Sequence, residues 1–216
     1  MLEQRLCTAL QPFLPAAALV PAVTFIIEKK VQLTVTGNRA TKLGDYRHPF
    51  QGKGHRITVN GTLNPYAFLV TLIHEFAHLL VWEQHQNRVK PHGGEWKNAF
   101  TSLMKPYLKE QVFPDELLPV LHDYFENPRA SSCADPELMR SLSQFDQGRN
   151  RYQFLEELPE GAVFITRQRR FYIKGEKRRT RFLCAEKGTG KQYLFHPLTP
   201  VQQRRADGSL MLELSS

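Results

Sequence analysis

The spacing of apolar residues changes along the chain from a helical period to a strand period. In residues 2–19 leucines recur at every fourth position, which places them on one face of a predicted helix. Between residues 31 and 60 apolar and polar residues alternate around glycine-containing turns, as in strands with one buried face. The first third of the chain therefore predicts helices packed on a small sheet.

The most apolar segment follows Asn64 and Pro65. Asparagine is a favoured N-cap residue, and proline fits the first helical position because the N–H that it lacks has no partner there. The pattern predicts a helix to about Gln86, roughly 33 Å long. Three ionisable residues interrupt the apolar run, so we expect a core helix and no membrane span.

Two further helices and a domain boundary are predicted downstream. One helix should run from about Glu95 to Leu108, and another should follow Pro114. A polar, turn-rich stretch ends near Gly148, where we place the boundary between residues 1–148 and residues 149–216. The predicted class is α+β, with helices packed on a small sheet in the first domain and a small β-rich C-terminal module.

The C-terminal module is predicted to contain three or four strands. Turns are expected at Lys174-Gly175 and at Gly188-Thr189-Gly190. The residues expected to hold this module together are all apolar or aromatic: Val163, Phe164, Ile165, Phe171, Ile173, Phe182, Tyr193 and Phe195.

His74, Glu75 and His78 form an H-E-x-x-H pattern inside the predicted core helix. The two histidines are one helical turn apart, so both imidazoles project from one face and can share an ion. A catalytic zinc takes three protein ligands and leaves one position open for water. Glu75 lies on the adjacent face, where its carboxylate can take a proton from that water without binding the ion. The pattern indicates metal-assisted hydrolysis.

A third metal ligand must come from elsewhere in the chain. His85 lies about 10.5 Å further along the helix than His78, whereas two nitrogens on one zinc are at most about 4.2 Å apart, so His85 is excluded. His92 follows a turn in PHGGEW, where proline and glycine let the chain double back, and it ranks first; Glu95 ranks second. The other histidines are expected on the surface or in local hydrogen bonds: His48, His55, His122 and His196.

The segment LNPYAFLVTLIHEFAHLLVWEQHQNRVKPHGGEWKNAF resembles the SprT-like zinc metalloprotease family (SprT/Spartan type). The family pattern is H-E-x-x-H followed, one loop later, by His-Gly-x-x-aromatic at the start of the next helix. Here the second motif is HGGEW at residues 92–96, with 13 residues between His78 and His92. The resemblance implies a zincin-like fold, one zinc held by His74, His78 and His92, and Glu75 as the general base.

The resemblance also bears on substrate and partners, because it implies a peptidase that can act on DNA-bound proteins. In zincins an edge strand beside the active helix pairs with extended substrate, which would assign that role to Arg56–Asn60. The match is specific over about residues 25–110. Many family members continue with a zinc ribbon built on four cysteines, whereas the tail here has Cys184 alone, so we expect a degenerate ribbon without metal.

The formal net charge of +8 is concentrated in the tail. Residues 149–216 hold 14 Lys+Arg against 7 Asp+Glu, which gives +7. Residues 165–181, ITRQRRFYIKGEKRRTR, carry most of these cations interleaved with two aromatic residues, which suits a phosphate backbone and unstacked bases. The alternative is a solvated charged hairpin with no partner. The candidate nucleic-acid contacts are all basic: Arg167, Arg169, Arg170, Lys174, Lys177, Arg178, Arg179 and Arg181.

Two functional classes remain open at this point. The first is a zinc endopeptidase acting on protein substrates, and the second is a catalytically silent zinc-containing protein that binds nucleic acid through its tail. A metal-dependent hydrolase of small amides is a third, weaker option. Any oxyanion-stabilising group would come from Tyr46, Tyr107 or His122, and sequence does not choose among them. Trp96 is expected in the core and not in contact with substrate.

Cysteine usage bears on the compartment. The chain has three widely separated cysteines and no Cys-x-x-Cys pair, so a disulfide framework is not predicted. The N-terminal residues make a poor signal peptide. We therefore expect a cytoplasmic protein.

Overall fold

A computed structural model describes residues 1–37, 42–109, 111–129, 135–147, 152–166 and 168–204. The chain divides into two compact units, Met1–Asp146 and Gln147–Ser216. The predicted boundary residue, Gly148, lies outside the described residues. The architecture is α+β.

The first unit contains six described helices and three strands. Its elements in chain order are α1 (Leu2–Leu10), α2 (Ala16–Glu28), β1 (Gln32–Thr36), β2 (Gly44–Arg47), β3 (Arg56–Asn60), α3 (Pro65–His85), α4 (Gly94–Met104), α5 (Leu118–Glu126) and α6 (Pro136–Ser143). A 3₁₀ turn at Lys105–Tyr107 follows α4, so the predicted helix over 95–108 is shorter than expected. The helix expected after Pro114 begins at Leu118.

The predicted helix over residues 2–19 is wrong as a single element. It is divided between α1 and α2, and the break contains Pro12 and Pro15. Proline lacks the N–H that would continue the helical hydrogen bonds, and it disfavours helical backbone in the residue before it. Pro15 is instead the N-cap residue of α2, whose inner face is buried through Ala18, Ala22 and Val23.

The small sheet of the first unit has the strand order β1-β3-β2. β1 runs parallel to β3, and β2 runs antiparallel to it. Ile57 and Val59 of the central strand are fully buried. The expectation that Arg56–Asn60 forms an edge that pairs with substrate is therefore wrong, because both edges of this strand are already paired. Among the described strands, β2 is the edge nearest α3.

The core of the first unit is built around α3. Asn64 caps this helix by accepting a hydrogen bond from the Ala67 N–H at 3.0 Å, and Pro65 occupies the first turn, as predicted. The helix is long and apolar enough to cross a membrane by length and composition alone. Here it is a core helix, since more than half of its residues are buried against the rest of the unit.

The second unit contains one antiparallel sheet, larger than the three or four strands predicted. Its strands are β4 (Gln153–Phe154), β5 (Val163–Thr166), β6 (Phe171–Arg178), β7 (Arg181–Glu186), β8 (Gln192–Phe195) and β9 (Pro200–Arg204). Their order in the sheet is β4-β9-β5-β6-β7-β8. The turn at 188–190 joins β7 to β8 as expected. The expected turn at Lys174-Gly175 is wrong, because both residues lie within β6 and the chain reverses after Arg178.

The inward face of β6 differs from the predicted one. Tyr172 and Lys174 are buried at 4% and 5% exposure, while Phe171 and Ile173 point outward at 36% and 38%. The predicted core residue Tyr193 is also 36% exposed. Because successive strand residues face opposite sides, choosing the wrong member of an adjacent pair reverses the whole strand. The buried core is Leu155, Leu158, Phe164, Tyr172, Cys184 and Val201.

We predict that Asn64→Ala destabilises the first unit by about 1–3 kcal/mol, because a helix cap and buried hydrogen bonds are lost together. The Asn64 side chain caps α3 and also donates to the Leu142 carbonyl and to Asp146 Oδ1, each at 2.8 Å. Urea unfolding followed by tryptophan fluorescence measures this unit alone, since both tryptophans of the chain lie in it.

The matched control is Asn98→Ala, at an exposed position of α4. Its free energy of unfolding should change by no more than about 0.5 kcal/mol. Equal effects of the two substitutions would contradict the role given to Asn64.

Candidate metal centre

Two histidines of α3 lie side by side. His74 and His78 are one helical turn apart, and their Nε2 atoms are separated by 3.2 Å. Both side chains are only partly exposed, in a helix that is otherwise largely buried. The helical period alone brings these two nitrogens together, as the sequence predicts.

The third histidine comes from the loop between α3 and α4. His92 Nε2 lies 3.3 Å from His74 Nε2. Its backbone is in the left-handed region, with φ of 58°, and Gly93 then donates to the Lys90 carbonyl and begins the next helix as its N-cap residue. An added Cβ on Gly93 would lie 3.0 Å from that carbonyl oxygen, so the tight bend favours glycine there. A strained bend of this kind is characteristic of functional positions.

Two of the three nitrogen separations are those of a tetrahedral metal site. Ligands at 2.0–2.1 Å from a zinc ion lie about 3.3 Å from one another in a tetrahedron. The two measured separations are 3.2 and 3.3 Å, and all three ligand atoms lie within 4.8 Å of one another. Among the described residues, no other group of three or more His, Cys, Asp or Glu meets this condition. Glu95, the second-ranked candidate, is not in the group.

The electrostatic environment keeps the imidazoles neutral. Burial, and then the neighbouring rings, lowers the pKa of His74 to about 3. Burial followed by His92 lowers the pKa of His78 to about 4, and burial lowers the pKa of His92 as well. Neutral imidazole is the form that donates a lone pair to a metal. The cluster therefore fits a divalent transition metal in both geometry and donor chemistry.

Trp96 packs against every ring of the cluster. Its ring centroid lies 4.6 Å from that of His74, 5.5 Å from His78 and 4.7 Å from His92. The side chain is 1% exposed, which agrees with its expected place in the core. Sequence spacing did not indicate that this core residue also forms the wall that holds the imidazoles in position.

Glu75 is buried beside the cluster and beneath β2. Its side chain is 5% exposed, and the backbone N–H of Tyr46 donates a hydrogen bond to its carboxylate. Burial first, and the nearby Asp45 second, raise the pKa of Glu75 to about 8. Gly44 makes room for this carboxylate. A Cβ there would overlap Glu75 Oε1 and lie 2.9 Å from Thr71 Cγ2.

Comparison with known proteins gives one match. Residues 14–115 match the family model described as the SprT-like family, a span that includes α2 to α4, all three histidines and Glu75. The match covers just under half of the chain and supports membership of the SprT-like family. This family is associated with metalloprotease activity. Neither the curated proteins nor the solved structures gave a match to the chain.

Two cavities meet at His92 in the SprT-like domain. One, of about 280 Å³, lies toward β2 and the end of α3 and includes Tyr46 and His78 in its wall. The other, of about 600 Å³, lies toward α5 and includes Lys97 and Asp123. His92 therefore lines both cavities, and the smaller one also reaches His78.

Of the three oxyanion candidates, only Tyr46 lines a cavity next to the cluster. Its ring is parallel to that of His78, with centroids 6.5 Å apart, and its hydroxyl lies 2.9 Å from His55 Nδ1. Burial raises the pKa of Tyr46 above its ordinary value, so the phenol keeps its proton. Tyr107 is buried, and His122 is exposed on α5.

The remaining histidines make local contacts, as expected. His48 stacks on Trp82, with centroids 5.3 Å apart and planes 2° from parallel. His196 Nδ1 accepts a hydrogen bond from the Leu198 N–H at 3.2 Å. Gly44 was not among the predicted site residues. A glycine inside a strand often marks a place where another group comes close to the backbone, and that pattern could have indicated it.

The basic residues of the second unit do not form one cluster. Arg169 and Arg170 precede β6, and Arg170 pairs with Glu186 at 3.4 Å. Arg167 lies outside the described residues. Four exposed basic residues form a second group, the hairpin cluster: Lys177, Arg178, Arg179 and Arg181. This cluster lies at the opposite end of β6 from Arg169 and Arg170, about 26 Å away at the ordinary rise per strand residue.

Lys174 is a correction to the predicted nucleic-acid contacts. Its side chain is 5% exposed, and its ammonium donates to the carbonyls of Glu156, at 3.2 Å, and Leu158. The ammonium also lies 4.1 Å from the centroid of the Phe182 ring. Because Lys174 lies on the inward face of β6, its ammonium is hydrogen-bonded inside the second unit and is not available to a phosphate.

We predict that Gly44→Ala leaves metal binding intact and reduces peptide hydrolysis by about a hundredfold or more, the effect of a misplaced general base. The added methyl group displaces the Glu75 carboxylate and does not touch the histidines. The protein should also lose about 1–3 kcal/mol of stability from overpacking. Zinc content and hydrolysis per bound zinc, measured on the same sample, separate the two effects.

The control is Gly37→Ala, in the same domain, where an added Cβ has no atom within 4 Å. It should retain both zinc and hydrolysis. Full activity of Gly44→Ala per bound zinc would show that the close approach of β2 to Glu75 has no role in the chemistry.

Proposed function

We propose that this protein is a zinc-dependent metalloendopeptidase of the SprT type in which Glu75 acts as the general base. One observation carries the proposal: three imidazoles with ligand atoms within 4.8 Å of one another lie beside a buried carboxylate, and His92 lines two cavities. The metal ligands are His74, His78 and His92. The SprT-like family is associated with metalloprotease activity, which favours a peptidase over other metal-dependent hydrolases.

Glu75, Tyr46 and Gly44 each have a part in the proposed hydrolysis. A bound zinc ion supplies Lewis acidity, which activates water and polarises a carbonyl group. Glu75 accepts the proton of the attacking water on its carboxylate and later returns it to the leaving amine. The Tyr46 amide and the space at Gly44 fix the orientation of that carboxylate. Tyr46 is the candidate donor to the developing oxyanion.

We infer a zincin-like arrangement in which β2, and not β3, is the strand beside the substrate. β2 is the edge of the described sheet nearest the cluster, and Tyr46 and the adjoining His48 line one of the two cavities. An extended polypeptide can pair with a free sheet edge through its backbone. The presence of two cavities lined by His92 favours a polypeptide over a small amide.

The alternative, a catalytically silent zinc protein, accounts less well for Glu75. A structural zinc site is normally closed by four protein ligands, and the described residues provide three. A carboxylate buried beside these histidines, away from water, costs free energy that a purely structural site has no need to meet. That cost is expected in an active site.

We also propose that the second unit binds nucleic acid through the hairpin cluster and so brings the peptidase to DNA-bound proteins in the cytoplasm. The support is the exposure of its four cations; within the described part of the chain, only Arg178 among them has an acidic partner, Glu176 at 2.7 Å. The excess of seven positive charges in residues 149–216 adds to this. Attachment to DNA would raise the local concentration of substrate.

Metal analysis and one catalytic variant test the peptidase. The wild-type protein should hold one zinc per chain, and His74→Ala and His92→Ala should each lose it because a ligand is removed. Glu75→Gln should retain zinc and lose hydrolysis, because it keeps the shape of the side chain and removes the base. Zinc is measured by atomic emission, and hydrolysis by mass spectrometry of a peptide library.

Two results would refute this assignment. Unchanged zinc content in His92→Ala would show that His92 is not a metal ligand. Undiminished hydrolysis by Glu75→Gln would assign the base to another residue. A wild-type protein that holds zinc but cleaves no peptide and no DNA-bound protein would favour the silent alternative.

Neutralising the hairpin cluster tests nucleic-acid binding. With all four residues changed to Gln, the slope of log affinity against log salt for single-stranded DNA should fall by up to about 3, since each lost phosphate contact removes about 0.7. Fluorescence anisotropy over a range of salt concentrations measures this slope.

The control makes the same change in charge on the first unit, at four exposed positions: Arg5, Lys53, Lys105 and Lys109. It should leave the slope nearly unchanged. If both variants lose affinity equally, binding reflects only the net charge, and the hairpin has no special role.

A further inference from the structure

The smaller of the two cavities has its own chemistry. It lies between β2, the C-terminal end of α3 and the loop that carries His92, and its volume is about 280 Å³. Half of its twelve lining residues are apolar or aromatic: Tyr46, Val81, Trp82, Val89, Pro91 and Trp96. The others are three histidines, two amides (Gln86 and Asn87) and one lysine, Lys90. A pocket of this composition favours an apolar group.

The aromatic walls are held in place by their neighbours. Trp82 stacks on His48, and the His55 ring meets it edge-on with centroids 5.5 Å apart. His55 is in turn held by the Tyr46 hydroxyl at 2.9 Å. A pocket whose rings are already ordered loses little conformational entropy when a ligand enters.

The pocket is continuous with the candidate metal centre. His78 and His92 form part of its wall, so a group bound there lies directly beside the position at which a carbonyl would be hydrolysed. Small-molecule and cofactor sites usually measure about 300–1,000 Å³. At about 280 Å³ this pocket suits one side chain better than a whole cofactor.

The geometry points to a specificity pocket for a large apolar or aromatic side chain of the substrate, on the residue next to the scissile bond. The inference rests on the proposed peptidase function and adds the substrate class. The peptide backbone would cross the metal centre while one flanking side chain enters between Trp82 and Pro91. Small, acidic and strongly polar residues should be disfavoured at that position.

Both tryptophans of the chain, Trp82 and Trp96, line the pocket, so its occupancy can be measured without turnover. The zinc-loaded Glu75→Gln variant is titrated with two peptide hydroxamates that differ only in carrying Phe or Gly at the residue adjoining the hydroxamate. Tryptophan fluorescence should show about ten- to a hundredfold tighter binding of the Phe compound, the range for an added apolar group in a fitted pocket. Equal affinities would overturn the inference.

Trp82→Leu and Tyr66→Leu form a matched pair of aromatic substitutions on α3, the second outside the pocket and packed on Phe113 and Phe145. Trp82→Leu should remove most of the preference for Phe over Gly, as measured by the remaining Trp96, while zinc content stays at one per chain. Tyr66→Leu should retain the preference. If both variants retain it, Trp82 does not form the pocket wall.

A peptide-library digest by the wild-type enzyme gives the second readout. Large apolar residues should be enriched at one of the two positions that flank the cut. Cleavage without such enrichment refutes the pocket and leaves the peptidase standing. Absence of cleavage together with selective hydroxamate binding refutes the peptidase and leaves the pocket standing.

Discussion

Three partly exposed imidazoles at ligand spacing and one buried carboxylate lie against the apolar core of the first unit. Each polar group buried without a partner costs roughly 1–3 kcal/mol, so such an arrangement persists only where the surrounding structure supports it. A bound ion would satisfy the nitrogens, and the Tyr46 amide serves the carboxylate. The apolar packing of α3 supplies the stability that offsets the remaining cost. The same helix therefore determines both the fold and the chemistry of the domain.

The three histidines of the cluster are positioned by different physical means. The helical period alone places His74 and His78, and it would do so in any stable helix. His92 depends on backbone strain, since its φ of 58° is unfavourable for a residue with a side chain and typically costs about 1–3 kcal/mol. Trp96, one turn into α4, covers all three rings and excludes water from one side. His92 is thus the histidine of the cluster whose position depends most on tertiary structure.

Much of the centre could be predicted because its signals are local. A cap, a proline, an apolar run and two histidines one turn apart specify α3 and its inward groups without reference to other elements. The role of β2 could not be predicted, since it depends on which strand lies at the sheet edge and on a contact between Gly44 and Glu75 across 31 positions. The predicted inward face of β6 was wrong for a further reason. Phe171 and Tyr172 are adjacent aromatics, so either alternation buries one of them. Only the packed sheet shows that Tyr172 and Lys174 face inward.

The buried Lys174 has a consequence for how the two units depend on cofactors. This unit has a single cysteine, and an ammonium group joins β6 to the carbonyls of Glu156 and Leu158. Such a junction is indifferent to chelators. Under the proposed function, removing the metal would therefore act on the first unit and leave this junction of the second unit unchanged.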